Sequence, residues 1–598
     1  MEGASARGLG VVGGFALVIL VLLSLALVVG AAERASLLTP PSHAGFPHWM
    51  AGPLRGLWPS LTKSPTALKW DFSLTMGAMY LCYLLVLLCA HRLRVRWAIA
   101  AIVLLHAIYL MSPPLSLTDA FNYLNYGRMG FVHHLNPYTE IPVLEPHSDP
   151  AFAFSNWHHL VSPYGPLFTL FTYALAPLGL ATGFWVLKSL LALTSLAALW
   201  LVWRCAELLG RDPLQALLFV GLNPLVLVWG LGGDHNDFFV VFWILLGFYL
   251  LLTARASRGQ RPTASWATGN GVVAPAPAWR GSYASSAPTR TDWQAPLPAA
   301  SSISQPEWNP ASASELGAGG TLAPGAKPEP GGVSGGYPSQ PGYPSQRGGP
   351  PQRGVPSAGP GPRWVPPEGA HAAWPPDVLT QRRLTEADSA HKARIIRESG
   401  AGVALVAAVA IKASAGILLP IVLLGAQRRL RLLAGMAAGG LVLGAATLYA
   451  FGPHLPQLAD QTRLVASDSL PNVLGYSLGL GGETTALRDV LSVVLAVSVV
   501  ACCVWAWRTR DWLLPATVAM LVLLLTLSWE LPWYVYWLLP LAALVRSRAL
   551  RGVTLVFGLY LLLAWIPLTT DLISGLNFRP TATPLGEQQS HLTKRLLH

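Results

Sequence analysis

The chain has 598 residues, 53% of them hydrophobic and only 11% charged, with a formal net charge of +12. An ordinary soluble domain carries roughly 25% charged residues, so this composition excludes a soluble enzyme and points to an integral membrane protein. The arginines gather at the ends of apolar runs, where they orient spans rather than bind nucleic acid.

The first apolar run, residues 9–31, follows Arg7 and is longer than the core of a signal peptide, so it is expected to stay as a helix. Spans follow at about 73–90 and 97–111, joined by His91, Arg92, Arg94 and Arg96. The excess of basic residues marks that turn as cytoplasmic, which places the polar segment after Met111 outside. Further basic turns at Arg204 and Arg211, Arg255 to Arg261, Arg428 to Arg431, Arg508 to Arg510 and Arg546 to Arg551 are expected inside. For these to agree, residues 166–180 must lie at or dip into the outer face. Residues 183–203 then cross, 213–230 run outward and 240–253 return. The five cysteines sit in or beside apolar runs without metal or disulfide spacing, and read as small packing residues.

Residues 255–395 change to a Pro/Gly/Ser-rich composition with a duplicated GYPSQ, too poor in aliphatic residues to bury a core; a disordered cytoplasmic insertion is expected. The domain plan is therefore an N-terminal membrane module over 1–254 with a large outer loop at 114–165, the insertion, a C-terminal module over 396–570 and a polar tail at 571–598. A short apolar pair broken at Lys412 opens the second module, and "WELPWYVYW" at 529–537 is placed at the outer interface.

Chemistry concentrates on the outer side. If the chain is helical after Thr118, then Asp119, Asn122, Tyr123 and Tyr126 share one face. A carboxylate backed by amide and phenol groups suits proton transfer from a polyol, although Asp119 or Thr118 acting only as a helix cap fits as well. Arg128, then "HLNPY" with Tyr138 and "SPYGPLF" with Tyr164, frame a loop of roughly 50 residues, long enough to suspect function. The turn "GLGGDHNDFF" adds Asp234, His235, Asn236 and Asp237 on the same side. Lys188 and Lys412 lie inside apolar segments, where an unpaired lysine costs about 2.5–3.5 kcal/mol. A lipid phosphate is a natural partner for each, and snorkelling of Lys188 to the interface is the other reading.

Taken in order, Asp119 with the aromatic run to "NPY", then "SPYGPL", then "LNPLVLVWGLGGDHND" at 222–237, resemble the polyprenol-phosphomannose-dependent α-1,6-mannosyltransferases of the GT-C superfamily. The resemblance is strong over about 115–252 and weaker over 400–545. It implies an all-α, GT-C-like bundle of roughly 12–14 hydrophobic segments with a large first catalytic outer loop. It also implies an inverting enzyme that moves mannose from a polyprenyl-phosphate sugar to a glycan or glycolipid acceptor at the extracytoplasmic face, with the acid at position 119 as base. On this reading Lys188, Lys412 and Arg128 hold the phosphate, and Asp234, His235, Asn236 and Asp237 orient hydroxyls. Trp529, Trp533 and Tyr534 stack on sugar or on the first isoprene units. No cofactor and no resident metal are expected, and membrane lipids are the surrounding partners. Three alternatives remain: transfer of another lipid-linked sugar, arabinose or glucose; a transporter or flippase, which would show paired inverted repeats where only one broken hairpin is visible; and a structural membrane scaffold whose disordered insertion carries the function.

Overall fold

Length and hydropathy set the frame. The computed structural model describes residues 2–39, 45–59, 63–115, 119–256, 376–459 and 461–597, which form helices joined by turns, with no strand among the described residues. Among the described residues, seven helices are long and apolar enough to cross a bilayer of about 30 Å. The expected all-α polytopic membrane protein is therefore the fold observed.

In chain order, α1 (Glu2–Ala32) packs along α3 (Pro65–Cys89) after the one-turn α2 (His48–Ala51), and α4 (Val95–Leu110) completes the first group. Ser64 caps α3 by accepting from Ala67 N at 3.2 Å, with Pro65 at the first helical position. The short α5 (Asp119–Phe131) carries the polar face, followed by α6 (Pro166–Leu175), the long α7 (Leu180–Leu208) and α8 (Pro213–Gly221). The stretch 213–230 is not one straight span. Pro224 lacks a donor, and Asn223 Oδ1 accepts from Leu225 N at 3.0 Å, so α8 ends and a π-helical turn at Val226–Leu231 restarts the chain. That turn delivers 232–236 to the start of α9 (Asp237–Ala256).

Residues 257–375, including the GYPSQ duplication, lie outside the described residues, as does Thr118. The stretch expected to be disordered up to 395 is helical from residue 376, where α10 (Pro376–Ile411) begins. It runs along both α9 and α12 (Arg429–Phe451). The break at Lys412 is observed: its backbone is extended, at φ −150° and ψ 121°, before α11 (Leu418–Gly425). Pro420 in the first turn of α11 cannot donate back into a continuous helix. The remaining helices are α13 (Leu470–Ser477), α14 (Thr485–Thr509), α15 (Leu513–Leu525), α16 (Val535–Leu544), α17 (Arg548–Trp565), α18 (Pro567–Gly575) and α19 (Pro584–Leu597).

In the polar tail at 571–598, Thr583 Oγ1 donates to Gly481 O, and Gln589 Nε2 to Glu483 O at 3.2 Å, which folds α19 onto the loop before α14. Trp533, Tyr534 and Trp537 are buried within the bundle. The chain's ends are also sorted. Arg211 Nε donates to Leu544 O and Arg551 reaches Gln215, which collects basic turns at one end. The loops bearing Asp119, Asp237 and Lys412 meet at the other: Gly165 N donates to Ile411 O at 2.9 Å, and Asn136 Nδ2 to Phe451 O at 2.8 Å.

Candidate active site

The site is assembled where α5, the turn 232–236, the Lys412 break and the start of α16 converge. Asp119 opens α5, its side chain 13% exposed, and its Oδ2 lies 3.3 Å from His235 Nδ1. The imidazole is laid flat on the Trp533 ring, with centroids 3.6 Å apart and an interplanar angle of 10°. The turn holding His235 depends on close backbone approach. A Cβ on Gly233 would press on Trp229 O and stand 2.8 Å from His235 Nε2, and Asp234 takes a left-handed φ of 59° that Asp tolerates better than most residues.

Both intramembrane lysines have partners, and these are carboxylates. Lys188 Nζ lies 2.8 Å from Asp234 Oδ1 with both side chains 1% exposed, a fully sealed ion pair. Lys412 Nζ donates to Asp237 Oδ1 at 2.8 Å but stays 21% exposed, with the Tyr534 and Trp537 rings 4.6 and 4.9 Å away. Trp537 Nε1 donates to the same Asp237 oxygen at 2.6 Å. Snorkelling of Lys188 is thereby overturned, because the aspartate meets it inside the protein.

Around Asp119, Tyr123 accepts from Asn236 N at 3.4 Å and stands edge-on to Tyr164 at 4.7 Å. Burial, reinforced by the Asp119 charge, pushes the Tyr123, Tyr126 and Tyr164 phenols well above their ordinary range, so they keep their protons. Several buried polar atoms have no hydrogen-bond partner: Tyr164 Oη, both side-chain atoms of Asn236, Asp237 Oδ2 and His235 Nε2. Buried polar groups are nearly always paired, so this concentration marks a place shaped for a polar ligand.

Other expected ligand contacts are instead occupied within the protein. Arg128 does not face a phosphate: its Nε and Nη2 grip Asp149 at 2.9 Å each, and His133 Nε2 lies 2.7 Å from the same carboxylate. Burial pushes the Asp149 carboxyl up, but Arg128, the Ala151 amide and His133 together outweigh it and hold it below its ordinary value. Tyr138 donates to Tyr164 O and Thr169 Oγ1, and Tyr126 donates to Leu160 O at 2.6 Å; both brace the loop. Asn122 is held by Asn156, with Nδ2 to Oδ1 at 2.8 Å, and reaches Asp119 only at 3.4 Å. Trp533 has one face covered by His235 and is only 2% exposed, so it does not present an open face to sugar.

Asn156 and Trp537 were not singled out from the sequence, and Glu145 and Asp149 were legible only as members of the polar outer loop. Trp537 was legible in principle, since 533, 534 and 537 share one helical face. Glu145 is 3% exposed with neither oxygen hydrogen-bonded, and burial raises its carboxyl to about 8. Its folded-state value lies above the unfolded one, so its contribution to stability is complete below about pH 4.5 and is lost as pH rises through about 8. Glu145→Gln is therefore expected to raise the thermal midpoint in detergent at the alkaline end of that window and to leave it unchanged at the acid end. A difference that stays flat across the pH series would refute the assignment.

Residues 11–282 match the N-terminal domain of the alpha-(1->6)-mannopyranosyltransferase family. Alpha-(1->6)-mannopyranosyltransferase A of Mycobacterium tuberculosis is 32% identical over 154 residues, covering 25% of this chain and 30% of the relative. The protein of the same name from Corynebacterium glutamicum is 28% identical over 161 residues, covering 25% and 31%. The match thus spans under a third of either relative's length. No solved structure matches the chain. The motifs around Asp119 and the 232–237 turn lie within 11–282, and over that stretch the chain is similar to the α-1,6-mannopyranosyltransferases, the type its residues resemble.

Proposed function

We propose that the protein transfers mannose from polyprenyl-phosphate mannose to a glycan or glycolipid acceptor, an α-1,6-linked mannan of a cell-envelope lipoglycan, at the extracytoplasmic face. The observation that carries this reading is the set of unpartnered buried polar atoms, Tyr164 Oη, the Asn236 amide and Asp237 Oδ2, gathered beside a half-open carboxylate at Asp119. Sugar hydroxyls are donors and acceptors of the kind such atoms accept.

In the reaction, Asp119 takes the proton of the acceptor hydroxyl as its oxygen bonds to C1 of the mannose. The bond from C1 to the phosphate oxygen breaks on the opposite face, the electron pair leaves with polyprenyl phosphate, and configuration inverts without a covalent enzyme intermediate. His235, wedged on Trp533, fixes the carboxylate's orientation. The two lysines have different roles. Lys412 is partly open and shares its charge with Asp237, so it is positioned to meet the charge that grows on the leaving phosphate. Lys188 is sealed against Asp234 and holds the turn in place.

The direct test is transfer of labelled mannose from polyprenyl-phosphate mannose to an α-1,6-oligomannoside by the purified protein in detergent. Labelled, elongated product supports the reading. Transfer from polyprenyl-phosphate arabinose or glucose instead would keep the reaction class and replace the sugar, and labelled product from none of the three donors would overturn it.

A further inference from the structure

A second cluster of polar groups, Glu530 and Asp468 with Tyr560, lies near the site and is not used by the mechanism above. It is built where the loop before α13 meets the segment between α15 and α16. Ala466 N donates to Ser528 O at 2.9 Å, and Leu470 N to Glu530 Oε2 at 3.1 Å. Tyr560 of α17 joins the cluster, donating to Asp468 O at 2.6 Å, and Ser467 Oγ donates to Asp468 Oδ2 at 3.0 Å. Glu530 is 1% exposed, and its second oxygen, Oε1, has no hydrogen-bond partner.

Its neighbour Glu483 is also buried, and although one oxygen is well held its Oε2 likewise has no hydrogen-bond partner. Glu483 Oε1 accepts from Arg488 at 3.0 Å and from Ser528 at 2.7 Å. Neither Glu530 nor Asp468 forms an ion pair among the described residues. Burial pushes the Glu530 carboxyl up to about 8 and raises Asp468 as well. Near neutral pH Glu530 thus carries a proton, and the acid offers a donor or an acceptor at a position the protein leaves empty-handed. Capping α13 does not account for this, since that role uses only Oε2 and the Ser469 side chain already caps the helix. An unsatisfied buried carboxyl oxygen is costly to keep, which points to a ligand that completes it.

The chemistry selects a neutral polyol. Glu530 supplies a hydrogen-bonding acid, Asp468 is half-buried with one oxygen left over, and Trp529, next in the chain, presents a partly exposed indole. Carboxyl groups that accept and donate match the hydroxyls of a pyranose, and an aromatic residue next in the chain is of the kind that packs on its C–H face. The location selects which polyol. Trp533 lies three residues from Glu530, a span of at most about 10 Å, and stacks on the His235 that adjoins Asp119.

We infer that the cluster of Asp468, Glu530 and Tyr560, with Trp529 next in the chain, is a subsite for the acceptor glycan, holding sugars behind the one whose hydroxyl attacks. It rests on the transferase reading of the neighbouring site. The test compares wild type, Glu530→Gln and Trp529→Ala with a long and a short α-1,6-oligomannoside. Glutamine keeps the acceptor for Leu470 N, so α13 stays capped. The expected result is a KM for the long acceptor raised about tenfold and loss of the preference for long over short in both variants, with kcat and donor KM unchanged in Glu530→Gln. Isothermal titration of the long oligomannoside into donor-free protein supplies a readout independent of turnover. Binding by wild type that is weakened in the variants supports the subsite even if no mannose is transferred, in which case the proposed reaction alone fails. Unchanged acceptor KM and unchanged binding in folded variants overturn the subsite. If Glu530→Gln does not fold, Trp529→Ala carries the same comparison.

Discussion

Asp119→Asn is expected to lower kcat for mannose transfer by about 10²–10⁴-fold, the usual worth of a positioned general base, with the thermal midpoint nearly unchanged. Asparagine is isosteric and keeps a polar contact at the 3.3 Å approach of His235 Nδ1 and the 3.4 Å approach of Asn122. It also remains a good helix cap, so the alternative in which Asp119 merely starts α5 predicts almost no loss. What asparagine cannot do is accept the hydroxyl proton. The measurement is the initial rate at saturating donor and acceptor, set beside thermal unfolding of the same preparations. Full activity in the variant would return Asp119 to the role of cap and remove the base from the mechanism.

The second large effect is expected at Lys188, and it falls on the fold rather than on chemistry. Lys188→Met leaves Asp234 as an uncompensated charge in a site where both side chains are 1% exposed. Breaking a buried pair in this way costs about 3–5 kcal/mol, enough to lower expression and the thermal midpoint sharply. Adding Asp234→Asn to Lys188→Met is expected to recover most of that loss, because the orphaned charge is gone and asparagine also tolerates the left-handed backbone at φ 59°. A leucine at 234 would not serve, since a branched side chain resists that conformation. Thermal unfolding of the two single variants and the double variant forms the cycle that measures the coupling. Additive losses would show that the pair does not act as a unit.

Much of this architecture was readable from local properties. The apolar runs at the start of the chain, 183–203 and 240–253 match α1, α7 and α9, since the ability of a helix to span a bilayer depends on its own length and hydropathy. The shared face of Asp119, Asn122, Tyr123 and Tyr126 follows from helical periodicity, and α5 has that form. The misreadings have local causes too. Residues 376–395 are polar, and polarity was taken for disorder although α10 continues through them. The stretch 213–230 is apolar throughout, so its hydropathy concealed the break that Asn223 and Pro224 impose.

What each polar side chain does was decided by which helices meet. The sequence by itself determined the membrane class, the main spans and the local grouping of the polar residues, because hydropathy, periodicity and proline act over a few residues. Only the tertiary structure decided that Lys188 is neutralised 46 residues away by Asp234, and that Lys412 pairs with Asp237 across 175 residues. The same holds for Trp537, which reaches that aspartate across 300 residues, and for Arg128, committed to Asp149 rather than to a ligand. An ion's cost inside a membrane depends on the charge that lies within a few ångströms of it, and that distance is set by packing between helices remote in the chain.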